Sequence, residues 1–144
     1  MASLCDIRIA SEDAFFAKPE IDRGVITSAA AFLRLGVPTG KVREIIYSAK
    51  RFSAAEFHEI GFLNYVVPKD QVMAKSLEVA EGIAKKSLPA LKAAKICSNA
   101  VESMGWEDAY KLTHEYTARL TAGSDSKEGI RAFLEKRDPS YKDK

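Results

Sequence analysis

Cys5-Asp6-Ile7-Arg8-Ile9-Ala10-Ser11-Glu12-Asp13-Ala14-Phe15-Phe16-Ala17-Lys18-Pro19-Glu20-Ile21-Asp22-Arg23-Gly24 is the stretch on which the fold turns. Its first six residues alternate isoleucine with charge at period two, the pattern of a half-buried strand. Ser11-Glu12-Asp13 supplies a turn, and Ala14 to Ala17 reads as a second short strand that Pro19 stops. Glu20 then follows a proline and precedes a glycine and a run of small residues. Two readings of it stand side by side: a solvated turn carboxylate, or an acid at the edge of a site.

Upstream, Met1 to Cys5 carries no charge, cap or turn residue and reads as the middle of a buried element. Downstream, helical signals dominate. Ser28 is placed to cap a short helix, Ala29 to Leu35, which Gly36 and Pro38 end. Thr39 is the expected cap of a second helix whose Val42, Ile45, Ile46 and Ala49 form one apolar stripe. Ser53-Ala54-Ala55-Glu56 is a capping box of the form S-x-x-E, opening a helix that Gly61 terminates. Phe62 to Val67, apolar and ending before Pro68, reads as a strand.

From there the chain is helical: residues 69 to 87, with Val72, Met73, Leu77, Ala80, Ile83 and Ala84 on one side, then Pro89 to about Met104. Trp106 to Thr121 and Ser126 to Arg137 follow, before a polar tail. Trp106 and Tyr110, at helical spacing, read as core or interface packing. The Ile-rich strand wants partners on both edges, and the rest of the chain offers few.

The 144 residues suit one domain of ordinary globular composition, 47% hydrophobic and 29% charged. Lys and Arg number 22 against 20 Asp and Glu, a balance that argues for no nucleic-acid partner and no membrane surface. No apolar run approaches the roughly 20 residues of a membrane span. Cys5 and Cys97 are far apart and read as two reduced, buried thiols in a cytoplasmic protein. His58 and His114 are isolated too, so no metal site is expected.

The order of these features resembles the crotonase superfamily, the enoyl-CoA hydratase and isomerase family. The opening stretch is similar to the family's C-D-[IL]-x-x-A strand followed by F-x-x-P-E and a glycine. R-F-S-A-A-E-F-H-E-I-G-F-L-N-Y-V-V-P, from Arg51 to Pro68, is similar to R-x-[ST]-A-x-E-A-x-x-x-G-L-V-x-x-V. K-E-G-I-R-A-F-L-E-K-R, from Lys127 to Arg137, is close to E-G-x-x-A-F-x-E-K-R. Three such blocks in the right order cover the whole chain.

The resemblance implies a partial α/β crotonase-like (ClpP/crotonase) fold: short N-terminal strands, then a helix-rich trimerisation region. Residues 1–68 would be the C-terminal part of the spiral core with the acid/base segment, and 69–144 a helical assembly region. Family enzymes are about twice this length, so the chain is expected to be a C-terminal half. A G-G-G-x-E-L-A type loop, with one oxyanion-hole donor and one of two glutamates, would end just before Met1.

The implied chemistry acts on an acyl-CoA thioester through an enolate-like oxyanion that preorganised N–H donors stabilise. Acyl-CoA is then the substrate, and no resident cofactor is expected. Glu20 matches the family's acid/base position. Ile26 and Thr27 in the following loop are the expected substrate-binding positions. Phe133 and Lys136 match positions near which family trimers approach the neighbouring subunit's CoA; their other readings are a core aromatic and an exposed lysine. Arg34 reads as a solvated or ion-paired helix residue.

The loop Gly24-Val25-Ile26-Thr27-Ser28-Ala29-Ala30-Ala31 departs from the hydratases' P-G-A-G-G, adding methyl groups where a ligand would meet bare backbone. The expected activity is 2-enoyl-CoA hydration in a homotrimer or hexamer. Enoyl-CoA isomerisation is one alternative, and a non-catalytic assembly fragment is another.

Overall fold

The computed structural model describes residues 2–142. These divide into two compact units, one running through Glu78 and the other beginning at Val79. In the first, strand β1 (Ile9–Ser11) pairs in parallel with β4 (Tyr65–Val67), Ile9 opposite Tyr65 and Ser11 opposite Val67. A parallel pair needs a crossover. Here it is β2 (Phe15–Phe16), helices α1 (Ala30–Arg34) and α2 (Thr39–Ser48), β3 (Phe52–Ser53) and α3 (Ala54–Glu59). β2 and β3 pair antiparallel, Phe16 opposite Phe52.

The crossover packs on itself through phenylalanine. Phe52, Phe57, Ile45 and Val42 are completely buried, and Phe32, Val37, Phe62 and Leu63 nearly so. Phe57 sits at the centre, stacked on Phe16 at 4.4 Å and edge-on to Phe62 at 5.1 Å. Burying a side chain of this size contributes about 1.5–3 kcal/mol. Ser53 caps α3 by the reciprocal box: its hydroxyl accepts the Glu56 N–H, and the Glu56 carboxylate accepts the Ser53 N–H at 2.7 Å.

The first strand departs from the reading of its pattern. It begins at Ile9, and the phase is inverted: Arg8 and Ala10 are buried while Ile7 is exposed. Arg8 goes inside because the chain gives it acceptors. Its Nε donates to the Phe62 carbonyl and its Nη1 to the Cys5 carbonyl, with the guanidinium 5.1 Å from the Phe62 ring centroid. Its backbone N–H donates to Asn64 Oδ1 at 2.8 Å, and its carbonyl accepts the Asn64 N–H at 2.9 Å.

Other expectations are corrected in the same way. Ala2–Leu4 is a 3₁₀ turn with Leu4 exposed, not a buried element, and Cys5 is exposed; Met1 lies outside the described residues. Thr39 is not a cap but the first residue of α2, because Pro38 already takes the extended cap conformation. The strand expected over Phe62 to Val67 shortens to Tyr65–Val67, since Phe62 and Leu63 donate back to the Phe57 carbonyl.

Helix α4 (Val72–Ala84) follows a 3₁₀ turn at Lys69–Gln71 and runs across the division between units. Its apolar stripe is not covered: Met73 and Leu77 are exposed. The second unit holds α5 (Leu88–Ala100), α6 (Trp106–Thr121) and α7 (Ser124–Glu135). Ser87 caps α5, and its buried side is small, Ala93 and Cys97. Trp106 and Tyr110 stack on each other at 5.4 Å on the exposed face of α6, so they are not core.

The tail after α7 is clasped. Arg137 donates to both Glu128 oxygens, at 2.6 and 3.1 Å, and Ser140 N–H to Glu128 Oε1 at 2.8 Å. The guanidinium first, and the Ser140 amide second, hold the Glu128 carboxyl at about 2.

Replacing Arg8 with alanine strands the buried Phe62 carbonyl and removes the bond to Cys5, and should cost about 3 kcal/mol, read as a lowered urea midpoint; a change below about 0.5 kcal/mol counts against the anchor. The Glu128 clasp has a folded pKa below the ordinary value, so its contribution is complete above the carboxylate range and is lost as pH falls toward 2. Glu128→Gln should free the tail at neutral pH, seen as faster hydrogen exchange at the Ser140 amide. Unchanged exchange would show that the tail is held by something else.

Candidate active site

Proline at position 19 opens a 3₁₀ turn, Pro19–Arg23, that carries Glu20. Proline's missing N–H costs nothing at a helix start, and its fixed φ suits the turn. Gly24 closes the turn at φ +70, its N–H bonded back to the Ile21 carbonyl at 3.1 Å. No neighbour lies within 4 Å of where a Cβ would stand, so the glycine answers the backbone's demand alone.

Within this turn Glu20 is two-faced. Oε1 lies 3.9 Å from the Lys18 ammonium, whereas Oε2 is shut off from solvent and has no hydrogen-bond partner among the described residues. Buried oxygens of this kind are uncommon and call for an explanation, functional or structural. Asp125 Oδ2, in the first turn of α7, is in the same condition.

Beside the turn is a pocket of about 170 Å³ lined by Phe16, Ala17, Lys18, Phe32, Phe57 and Phe62, with Ala2, Ser3, Ser28 and Ala31 completing it. Four phenylalanines form its apolar wall, with alanines, two serines and the Lys18 cation around them. Glu20 itself is not in the lining; Lys18 connects it to the pocket.

Of the expected substrate-binding positions, Thr27 is drawn to the same place, its hydroxyl accepting from Lys18 Nζ at 3.3 Å. Ile26, its neighbour, is 84% exposed and points no apolar surface inward. Phe133 and Lys136 belong to the second unit. Phe133 is 82% exposed, which removes the core reading, and Lys136 ends α7 in the left-handed conformation at φ +52. Arg34 donates to the Ser3 carbonyl at 3.4 Å. Among the described residues no three His, Cys, Asp or Glu side chains gather to hold a metal ion.

Lys18 is the residue that the sequence reading missed. The signal lay in its place before the Pro-Glu pair, but its contact with Thr27 depends on the chain returning there.

The family profile described as enoyl-CoA hydratase/isomerase matches residues 1–144. A mevalonyl-coenzyme A hydratase from Aspergillus fumigatus is 36% identical over 152 aligned positions, covering 99% of this chain and 54% of the relative. A probable enoyl-CoA hydratase from Rhizobium meliloti is 35% identical, over 99% of this chain and 56% of its own length. A crystal structure of enoyl-CoA hydratase from Bacillus anthracis superposes with a TM-score of 0.92 at 30% identity, over 99% of this chain and 56% of that one.

The chain spans about half the length of the curated relatives it matches, and its mixed α/β fold is a partial crotonase fold with a helix-rich C-terminal part. With the P-E turn, the capping-box helix and α7 all in family order, this chain belongs to the enoyl-CoA hydratase/isomerase family of the crotonase superfamily.

Proposed function

We propose that the protein acts on an acyl-CoA thioester, most simply as a 2-enoyl-CoA hydratase, with Glu20 as acid/base. The observation that carries the reading is Glu20 Oε2: a carboxylate oxygen closed to water and without a partner, on a proline-started turn beside an aromatic pocket. Family membership supplies the reaction class. Among the similar proteins, those from Aspergillus fumigatus and Rhizobium meliloti are named as CoA-ester hydratases.

The proton step balances on this oxygen. As the Oε2–H bond breaks, a C–H bond forms at the acyl α-carbon with the electron pair of the thioester enolate; the reverse direction remakes one bond and breaks the other. In hydration the water oxygen first bonds to the β-carbon, which moves the C=C electron pair into that enolate; after the α C–H bond has formed, the proton released from the water restores the Oε2–H bond. Double-bond isomerisation is the second reading, favoured because one acid/base suffices for it and Glu20 is the carboxylate of this turn with an oxygen closed to solvent, Asp22 on the same turn being exposed. No resident cofactor enters either reaction, the CoA ester being the substrate.

Assembly into a homotrimer or hexamer belongs to the same proposal. Ile130, Phe133 and Leu134 on α7 and Met73 and Leu77 on α4 are large apolar side chains facing outward, and such surface is usually covered. Two unpaired thiols, Cys5 and Cys97, support a reducing compartment, which we take to be the cytoplasm.

In the protein expressed from its complete open reading frame, Glu20→Gln should lower kcat by about 10²–10⁴ on a short 2-enoyl-CoA, with KM changing far less. Asp22→Asn, exposed on the same turn, should cost little. Equal small effects at both positions would make Glu20 a surface turn residue. Sedimentation velocity on the same protein at micromolar concentration should show a trimer or hexamer, and a compact monomer would sink the assembly proposal.

A further inference from the structure

We infer that Lys18 is a positioning residue for Glu20 and that it sorts the two carboxylate oxygens: Oε1 is held by the ammonium, and Oε2 is left to exchange the proton with the substrate. The inference rests on the acid/base reading above and goes further, since it says which oxygen reacts and what fixes it.

Lys18 precedes a proline, which confines its backbone to non-helical values; it sits at φ −129, ψ 74. From there the side chain turns back over the loop. Its Nζ lies 3.3 Å from Thr27 Oγ1, 3.9 Å from Glu20 Oε1 and 5.8 Å from the Phe32 ring centroid. The ammonium hydrogen-bonds the Thr27 hydroxyl, pairs with the Glu20 carboxylate beyond hydrogen-bond distance, and lies over the Phe32 face. The result is a strap across the loop, joining the acid turn to the expected substrate-binding residue nine positions on.

The Lys18 and Glu20 side chains retain 28% and 32% of their exposure, so attraction between them is screened and stabilises little. What the strap does is geometric. It places a cation 3.9 Å from Oε1, and Oε2 is then the oxygen turned away from water and without a hydrogen-bond partner among the described residues. Lys18 itself neither gives nor takes a proton in the step; it stays on Oε1 while the Oε2–H bond breaks and the α C–H bond forms.

A double-mutant cycle on the protein from its complete open reading frame tests this. Lys18→Met should lower kcat on a short 2-enoyl-CoA about tenfold, with KM and the urea midpoint nearly unchanged. Lys18→Arg, which keeps the cation, should recover most of that loss. In the Glu20→Gln background Lys18→Met should have no further effect, because a residue that acts through Glu20 has nothing left to position. Should Lys18→Met not fold, Lys18→Gln carries the same cycle. Wild-type turnover in the Lys18 variant, or an equal loss in both backgrounds, overturns the assignment while leaving Glu20 as acid/base. Wild-type turnover in Glu20→Gln alone overturns the acid/base reading, and the role of Lys18 with it.

Discussion

A buried guanidinium sets the geometry of the first unit. Arg8 reaches inward from the residue before β1 and donates to the Phe62 carbonyl, while its own backbone exchanges hydrogen bonds with Asn64. These bonds fix where β4 begins, and hence the parallel register of Ile9 on Tyr65. A shift by one residue would turn Ala10 out and Ile9 in, and would pull Phe62 from the ring cluster. Phe62 lies against Phe57, Phe57 against Phe16, and Phe16 stands two residues before Lys18. The acid turn is thus aligned by a chain of contacts that starts at a charge no one would place indoors from sequence alone.

How much could be read in advance follows from how local each cause is. The capping box at Ser53 and Glu56 is complete within four residues and was legible, as were the glycine at position 36 that ends α1 and the bounds of α6. Arg8 was misread because period two says that residues alternate faces, not which face is inside; the choice depends on carbonyls contributed from Phe62, far along the chain. β3 is two residues long, too short for any periodicity to show. Within the candidate site, the Pro-Glu pair and the glycine after it mark the turn that is found, and by themselves leave Glu20 between its two readings. Lys18 was not legible, because a lysine on a loop is ordinary until the loop brings Thr27 back to it.

The second unit shows the opposite use of polarity. α7 puts Ile130, Phe133 and Leu134 outward and secures its own end with charge, through Glu128, Arg137 and the Ser140 amide. An end held in this way does not need its apolar face for folding back on the tail, which leaves that face available. Trp106 and Tyr110 on α6 add a second exposed apolar element, stacked and so already ordered before anything covers it. Preordered aromatic surface loses little entropy when it is buried, which is the physical case for treating these helices as assembly surface rather than as a poorly packed core.

The loop after Glu20 limits what this chain can contribute to catalysis. Ser28 Oγ accepts the Ala30 N–H at 3.1 Å, and the Phe32 and Leu33 amides bond back to the Ala29 carbonyl. These amides at the start of α1 are engaged inside the chain, where a glycine-rich loop would leave backbone open to a ligand. An enolate oxygen, however, must be met by preorganised donors in a site without water, and losing one such donor costs about 10²–10³ in rate. On the proposed chemistry, residues 18–27 therefore supply the proton and its positioning, while the oxyanion is stabilised by donors other than the Ala30, Phe32 and Leu33 amides. On that chemistry acid and oxyanion donors are separate elements, and a substitution in one should leave the geometry of the other unchanged.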